Sequence, residues 1–240
     1  MLDSSQELID VMVTKSPAEI QSLMSISASL AALNHERYHD WERPFTRKTA
    51  RPALFAFNGD VYSGMDARAS FSTADFTRSQ RTMRILSGLY GVLRPFDLMM
   101  PYRLEMGTKL VSPKGRDLYG FWGDRITQLL ADDLTESPGA KVLVNLASQE
   151  YFGAVRPAAL GAPIVSPVFV DKKGDDTPKI ISFFAKRARG VMAGWLVRER
   201  INRVADLAAF EGAGYRYCPD RSTKERPVFV RTHDQIRELR

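Results

Sequence analysis

The run Lys141-Val142-Leu143-Val144-Asn145-Leu146-Ala147 decides the fold that this chain of 240 residues predicts. A short apolar run with β-branched residues is typical of a buried, central strand. Ser148 follows it, and a serine hydroxyl in this position caps a helix that would begin at Gln149. A buried strand that leads directly into a helix indicates a sheet covered by helices.

Further elements are predicted on the C-terminal side of this run. Two strands are expected at residues 163–170 and 179–184, joined by a turn at 172–175. Residues 185–200 predict a helix, and 227–231 predict a last strand.

The N-terminal side is predicted to be mainly helical. Ser16-Pro17-Ala18-Glu19 has the pattern of a capping box with proline at the first helical position. It opens a predicted helix that carries apolar residues as far as Leu33 and ends at Pro44. A short buried strand is predicted at 53–57, and helices are predicted at 81–86 and 121–130.

Strands and helices that mix without strict alternation predict an α+β (mixed α/β) protein, with one mixed β-sheet wrapped by helices in a single domain over residues 1–240. Hydrophobic residues make up 44% and charged residues 26% of the chain, as in ordinary globular proteins. No apolar run reaches the roughly 18 residues of a membrane helix. Cys218 is the single cysteine, so no internal disulfide can form. We therefore expect a cytoplasmic protein without a membrane partner.

The chain has a net charge of +6, and its positive charge is concentrated in two segments while the remainder is slightly acidic. Residues 179–203 hold seven Lys and Arg side chains against Glu199, which is 7 − 1 = +6. Residues 81–116 hold seven against Asp97 and Glu105, which is 7 − 2 = +5. Concentrated positive charge favours a polyanion partner, and the alternative is a set of solvated helix faces.

Six stretches carry a family resemblance, and they occur in order along nearly the whole chain. They are Phe57-Asn58-Gly59-Asp60-Val61-Tyr62-Ser63-Gly64; Leu86-Ser87-Gly88-Leu89-Tyr90-Gly91-Val92-Leu93-Arg94-Pro95 with Asp97-Leu98-Met99; Pro101-Tyr102-Arg103-Leu104-Glu105-Met106-Gly107; Leu118-Tyr119-Gly120-Phe121-Trp122-Gly123-Asp124; Asn145-Leu146-Ala147-Ser148 with Glu150-Tyr151-Phe152; and Lys179-Ile180-Ile181-Ser182-Phe183-Phe184-Ala185-Lys186 with Ala188-Arg189-Gly190. Together they resemble the YaaA (peroxide resistance) family of bacteria. Family members typically begin with a short strand and a Ser-Pro-Ala-Lys segment, and we expect this chain to start after that point.

The glycines of the second stretch resemble the hairpin of a helix-hairpin-helix motif. Gly88 and Gly91 would let the backbone approach a phosphate, and the next helix would offer its positive N-terminal end. Arg84, Arg94 and Arg103 would surround that contact. The alternative is a tight turn whose glycines serve only the backbone conformation.

A second candidate phosphate contact is formed by Lys186, Arg187 and Arg189, which would lie in the first turns of the predicted helix over 185–200. Cations there oppose the helix dipole, and a bound anion would reverse that cost. The alternative is that these side chains extend over an apolar sheet edge with their charges in water.

The stretch His35-Glu36-Arg37-Tyr38-His39 matches H-E-x-x-H, a pattern in which two histidines on one face of a helix bind zinc. A third ligand is required, and His233 is the only other histidine. We interpret the match as a coincidence on a helix and predict neither a metal site nor a cofactor nor a catalytic residue.

The resemblance implies a DNA-binding cytoplasmic protein of the peroxide stress response that limits DNA damage and reactive intracellular iron. The implied partner is double-stranded DNA, bound with weak sequence preference. One alternative is an enzyme acting on a nucleotide or nucleobase in a basic cleft, lined by acids such as Asp60, Asp66, Asp124 and Glu150. Another is a pure interaction module. The oligomeric state is left open by the sequence.

Overall fold

The structure, a computed structural model, describes residues 1–174 and 177–232. The chain divides into two units, each assembled from three separate segments. Unit 1 comprises Met1–Ala56, Met83–Leu130 and Gln149–Leu160, and unit 2 comprises Phe57–Thr82, Ala131–Ser148 and Gly161–Arg240. The single domain over the whole chain stays a prediction.

Short strands and helices of very different lengths make up both units. The helices are α1 (Leu2–Met12), α2 (Pro17–Met24), α3 (Ala28–His39), α4 (Ala53–Ala56), α5 (Asp60–Met65), α6 (Ala67–Ser70), α7 (Thr73–Thr82), α8 (Leu118–Trp122), α9 (Arg125–Glu136), α10 (Gln149–Phe152) and α11 (Ser182–Arg198). The strands are β1 (Arg51–Pro52), β2 (Ile85–Ser87), β3 (Gly91–Leu93), β4 (Leu98–Met99), β5 (Leu143–Val144), β6 (Ile164–Val165), β7 (Val168–Lys172), β8 (Arg216–Tyr217) and β9 (Val228–Thr232). This mixture confirms the α+β class. None of these helices is both long and apolar enough to cross a bilayer.

The predicted capping box is present at the start of α2. The Ser16 hydroxyl accepts the Glu19 N–H at 3.3 Å, and the Glu19 carboxylate accepts the Ser16 N–H at 2.8 Å. The single long helix predicted after it is wrong, because Ser25 adopts a left-handed conformation with φ 52° and ends α2. Ser27 then caps α3.

Two antiparallel strand pairs lie in unit 1. β2 pairs with β3, with Ser87 opposite Gly91, and β1 pairs with β4. The predicted strand at 53–57 is wrong, because residues 53–56 form the short helix α4. The N–H groups of Ala53 and Leu54, in its first turn, donate to carbonyl groups of the 95–97 loop. The helix predicted at 81–86 is also wrong, since α7 ends at Thr82 and the next residues join β2.

A three-stranded sheet with the order β7-β9-β8 forms the centre of unit 2, and β5 pairs with β6 in parallel. The long helix α11 places Ala185, Ala188 and Met192 against buried aromatic rings of this sheet and its loops. β9 and α11 confirm the two elements predicted at 227–231 and 185–200. The strand predicted at 179–184 is wrong, because only Lys179 pairs with β7 before α11 begins. Asp175 of the predicted turn lies outside the described residues.

A buried ion pair ties β7 to β9. Asp171 and Arg231 are register partners, and the Arg231 Nε donates to the Asp171 carboxylate at 2.8 Å. The Tyr215 hydroxyl donates to the other carboxylate oxygen at 2.8 Å. The guanidinium lies 4.5 Å from the ring centres of Phe184 and Tyr215. Burial, and secondly the bond to Asp171, raise the pKa of Tyr215, so its hydroxyl remains a donor.

Candidate nucleic-acid interface

The glycine hairpin of the first basic segment is buried. Gly88 and Gly91 both lie in the interior of unit 1, and Trp122 Nε1 donates to the Gly88 carbonyl at 2.9 Å. A Cβ on Gly88 would overlap the Leu104 carbonyl oxygen, and one on Gly91 would lie 2.9 Å from the Trp122 ring. The segment is a β-hairpin, so the helix-hairpin-helix is not confirmed. These glycines are needed for packing, and their burial keeps them from contacting a DNA phosphate.

The arginines beside this hairpin have neighbours of their own. Arg84 is half-buried and donates to the Met83 carbonyl at 2.7 Å, and Arg103 pairs with Glu105 at 2.6 Å. Lys114 of the same segment pairs with Glu7 at 2.6 Å. Arg94 is exposed, and its backbone N–H donates to Asp97. Acids therefore neutralise part of the first basic segment.

The cations near the start of α11 are different, because none has an acidic partner within residues 1–174 and 177–232. Lys186 and Arg187 are exposed, and Arg189 is half-buried. Burial lowers the pKa of the Arg189 guanidinium because its charged form loses hydration, and a neighbouring anion would offset that loss. α11 begins at Ser182, so these residues lie beyond its first turn. The predicted conflict with the helix dipole is therefore weaker than expected, since that effect fades within one turn.

The other cations of residues 179–203 differ in whether they have a partner. Lys179 is exposed and has no ion-pair partner in the described chain. Arg198 donates to the Ser70 hydroxyl at 3.1 Å, and Arg203 pairs with Asp206 at 2.6 Å. We use the name α11 cation cluster for Lys179, Lys186, Arg187 and Arg189.

A polar cluster in unit 1 was not predicted as a unit from the sequence. The Gly107 N–H donates to the Glu150 carboxylate at 2.9 Å, which joins two of the family-like stretches. Burial raises the pKa of the nearby Tyr151 to about 12, helped by the charges of Glu150 and Glu105. Arg103, paired with Glu105, completes the group. The family-like stretches themselves were the only sequence signal, because 43 residues separate Gly107 from Glu150.

The other acids considered for a pocket have local neighbours. Asp60 lies in the first turn of α5, where a carboxylate is favourable, and Asp66 ends that helix. Asp124 pairs with Arg156 at 2.7 Å.

The H-E-x-x-H histidines lie next to each other on α3. Their ring centres are 4.4 Å apart, and His39 Nδ1 is 2.9 Å from the His35 carbonyl oxygen. No cluster of three His, Cys, Asp or Glu side chains suited to a metal ion occurs in the described residues. His233 lies outside them.

Replacing His35 with alanine is expected to leave the zinc content and the unfolding midpoint unchanged, because His35 lies on a helix surface. Metal analysis and thermal unfolding of the purified variant would check this. Loss of one equivalent of zinc on replacement would revive the metalloprotease interpretation.

Comparison with known proteins identifies a family over most of the chain. Residues 1–221 match the family described as peroxide stress protein YaaA. A UPF0246 protein of Idiomarina loihiensis is 51% identical over 235 residues, which cover 98% of this chain and 90% of the relative. A UPF0246 protein of Alcanivorax borkumensis is 53% identical over 231 residues, covering 96% and 88%. One of Marinomonas sp. is 50% identical over 231 residues, covering 96% and 87%.

Proposed function

Because this chain belongs to the peroxide stress protein YaaA family, we propose that it is a cytoplasmic bacterial protein that binds double-stranded DNA during peroxide stress. Peroxide damages DNA through iron chemistry. A protein held on DNA that lowers reactive intracellular iron would limit that damage where it occurs. DNA is thus the partner that we propose, and the reaction of peroxide with iron is the damage that the protein would limit.

The observation that carries this proposal is the α11 cation cluster. Lys186, Arg187 and Arg189 lie within one turn of a single helix and have no acidic partner in the described chain. Phosphates would supply the missing counter-charge, and the release of counterions from DNA would drive binding. Contacts to phosphate carry no sequence information, so we propose weak sequence preference.

DNA affinity is expected to fall steeply with salt. About four phosphate contacts predict a slope near −4 in a plot of log K against log salt. A rise from about 50 to about 200 mM salt would then weaken binding by roughly two orders of magnitude. Lys186→Ala with Arg187→Ala should make the slope shallower by about two units, one for each lost contact. Fluorescence anisotropy with a labelled duplex would measure both effects.

The matched control is Lys48→Ala with Lys224→Ala, which removes two exposed cations outside both basic segments. It has the same net charge as the test variant and should keep the steep slope. Arg94→Ala tests the first basic segment in the same assay. Equal effects of the test and control pairs would mean that only net charge matters. Binding that does not depend on salt would reject the DNA proposal.

The second candidate is an enzyme acting on a nucleotide or nucleobase, and the polar cluster of Arg103, Glu105, Glu150 and Tyr151 favours it. An arginine beside two carboxylates combines an anion contact with groups that transfer protons. Saturable binding of a mononucleotide by a protein that ignores duplex DNA would favour this candidate.

A further inference from the structure

Two large apolar side chains are exposed within the most basic segment of the chain. Ile180 is 55% exposed and Phe183 is 54% exposed. Single exposed apolar residues are common on proteins and need no explanation. These two differ because they lie three residues apart, with cations on both sides.

The helix places the aromatic ring and the cations on the same side. Phe183, Lys186 and Arg187 have the spacing i, i+3 and i+4, so their side chains are neighbours on α11. Lys179 precedes Ile180 and is held by backbone bonds to Asp171 on β7, at 3.0 Å and 2.9 Å. Two cations of α11 thus lie beside the Phe183 ring, and Lys179 precedes Ile180 in the chain.

The helix that carries Phe183 is packed against the core. Ala185 and Ala188 are 3% and 1% exposed, and they fix α11 against the core of unit 2. The Phe184 ring covers the buried Arg231 guanidinium. Phe183 therefore projects from a helical turn whose neighbours are packed in the core, and little backbone entropy would be lost when it contacts a partner.

We propose that Ile180 and Phe183 form a wedge that contacts unstacked bases of DNA, so that the protein prefers DNA containing an unpaired base to a fully paired duplex. This inference rests on the proposed DNA binding and specifies which DNA is bound.

Nucleic acid fits this surface because it presents anionic groups and flat apolar faces at close spacing. The α11 cation cluster would hold the phosphates while the Phe183 ring stacks on a base. Proteins that bend DNA use apolar side chains in this way, inserting them between base steps. The free-energy cost of unstacking a base is lowest where the base is already unpaired. The protein should therefore bind DNA with an unpaired base more tightly than a fully paired duplex.

The test compares two duplexes of equal length, one fully paired and one with a single unpaired base, at one salt concentration. The wild-type protein should bind the second about fivefold to tenfold more tightly, which is near the lower end of what base stacking on an aromatic ring contributes. Phe183→Ala should abolish the preference without changing the salt slope, because no charge is lost. Phe183→Trp should keep it. Phe96→Ala is the matched control, since Phe96 is 37% exposed and lies in unit 1.

Each outcome separates the wedge from the wider proposal. A wild-type protein that binds neither duplex contradicts DNA binding itself. Equal binding of both duplexes, unchanged by Phe183→Ala, overturns the wedge and leaves DNA binding in place. Self-association that Phe183→Ala removes in analytical ultracentrifugation, without any duplex preference, would also overturn it.

Discussion

Replacing Asp171 with alanine is expected to lower the free energy of unfolding by about 3–5 kcal/mol, the typical cost of leaving one partner of a buried ion pair alone. The side chains of Asp171 and Arg231 are 0% and 8% exposed, so bulk solvent does not solvate the guanidinium that the substitution leaves unpaired. The Tyr215 hydroxyl would lose its acceptor at the same time. Urea denaturation followed by circular dichroism would measure the change.

Two further variants show whether the buried charge is the cause. Combining Asp171→Ala with Arg231→Met removes both charges and should recover part of the lost stability, because no unpaired guanidinium remains. Asp206→Ala breaks an exposed pair with Arg203 and should leave the unfolding midpoint nearly unchanged. A double variant less stable than Asp171→Ala would contradict this explanation.

Replacing Gly190 with alanine is expected to destabilise unit 2 by about 2–3 kcal/mol through overpacking. A Cβ at this position would overlap the Val61 carbonyl oxygen on α5 and would approach the Met65 backbone nitrogen at 2.9 Å. These are backbone atoms, so α5 would have to move away from α11. The gain in helix propensity, about 1 kcal/mol for Gly to Ala, is too small to offset this. Chemical denaturation would again provide the measurement.

Two other glycines provide a graded comparison. Gly194→Ala should cost less than Gly190→Ala, because its Cβ would lie 3.0 Å from the nearest backbone atom, the Met65 carbonyl oxygen, rather than 1.8 Å, and the Arg198 Nη1 at 2.9 Å belongs to a flexible side chain. Gly59→Ala has no atom within 4 Å of the new methyl group and should cost less than about 1 kcal/mol. Equal stability of all three variants would mean that α5 and α11 are not in close contact.

Local signals in the sequence predicted several elements correctly. The capping box at Ser16–Glu19 and the helix now seen as α11 depend on residues within a few positions of each other. The apolar runs at 53–57 and 179–184 were misassigned as strands because a short apolar run also fits the first turn of a helix. In the first run, backbone bonds from Ala53 and Leu54 to the distant 95–97 loop hold the start of α4. In the second run, only Lys179 pairs with the nearby Asp171, and α11 begins at Ser182.

The sequence by itself determined where the positive charge is concentrated and which family the chain resembles. Only the tertiary structure decided which cations have partners: Lys114 meets Glu7 from 107 residues away, whereas the α11 cation cluster meets no acid in the described chain. It likewise buried Gly88 and Gly91 around Trp122, which removed them from the candidate interface. The physical reason is the distance along the chain over which each interaction acts. Capping and helix periodicity act over a few residues, whereas burial and ion pairing depend on contacts that the fold makes between distant segments.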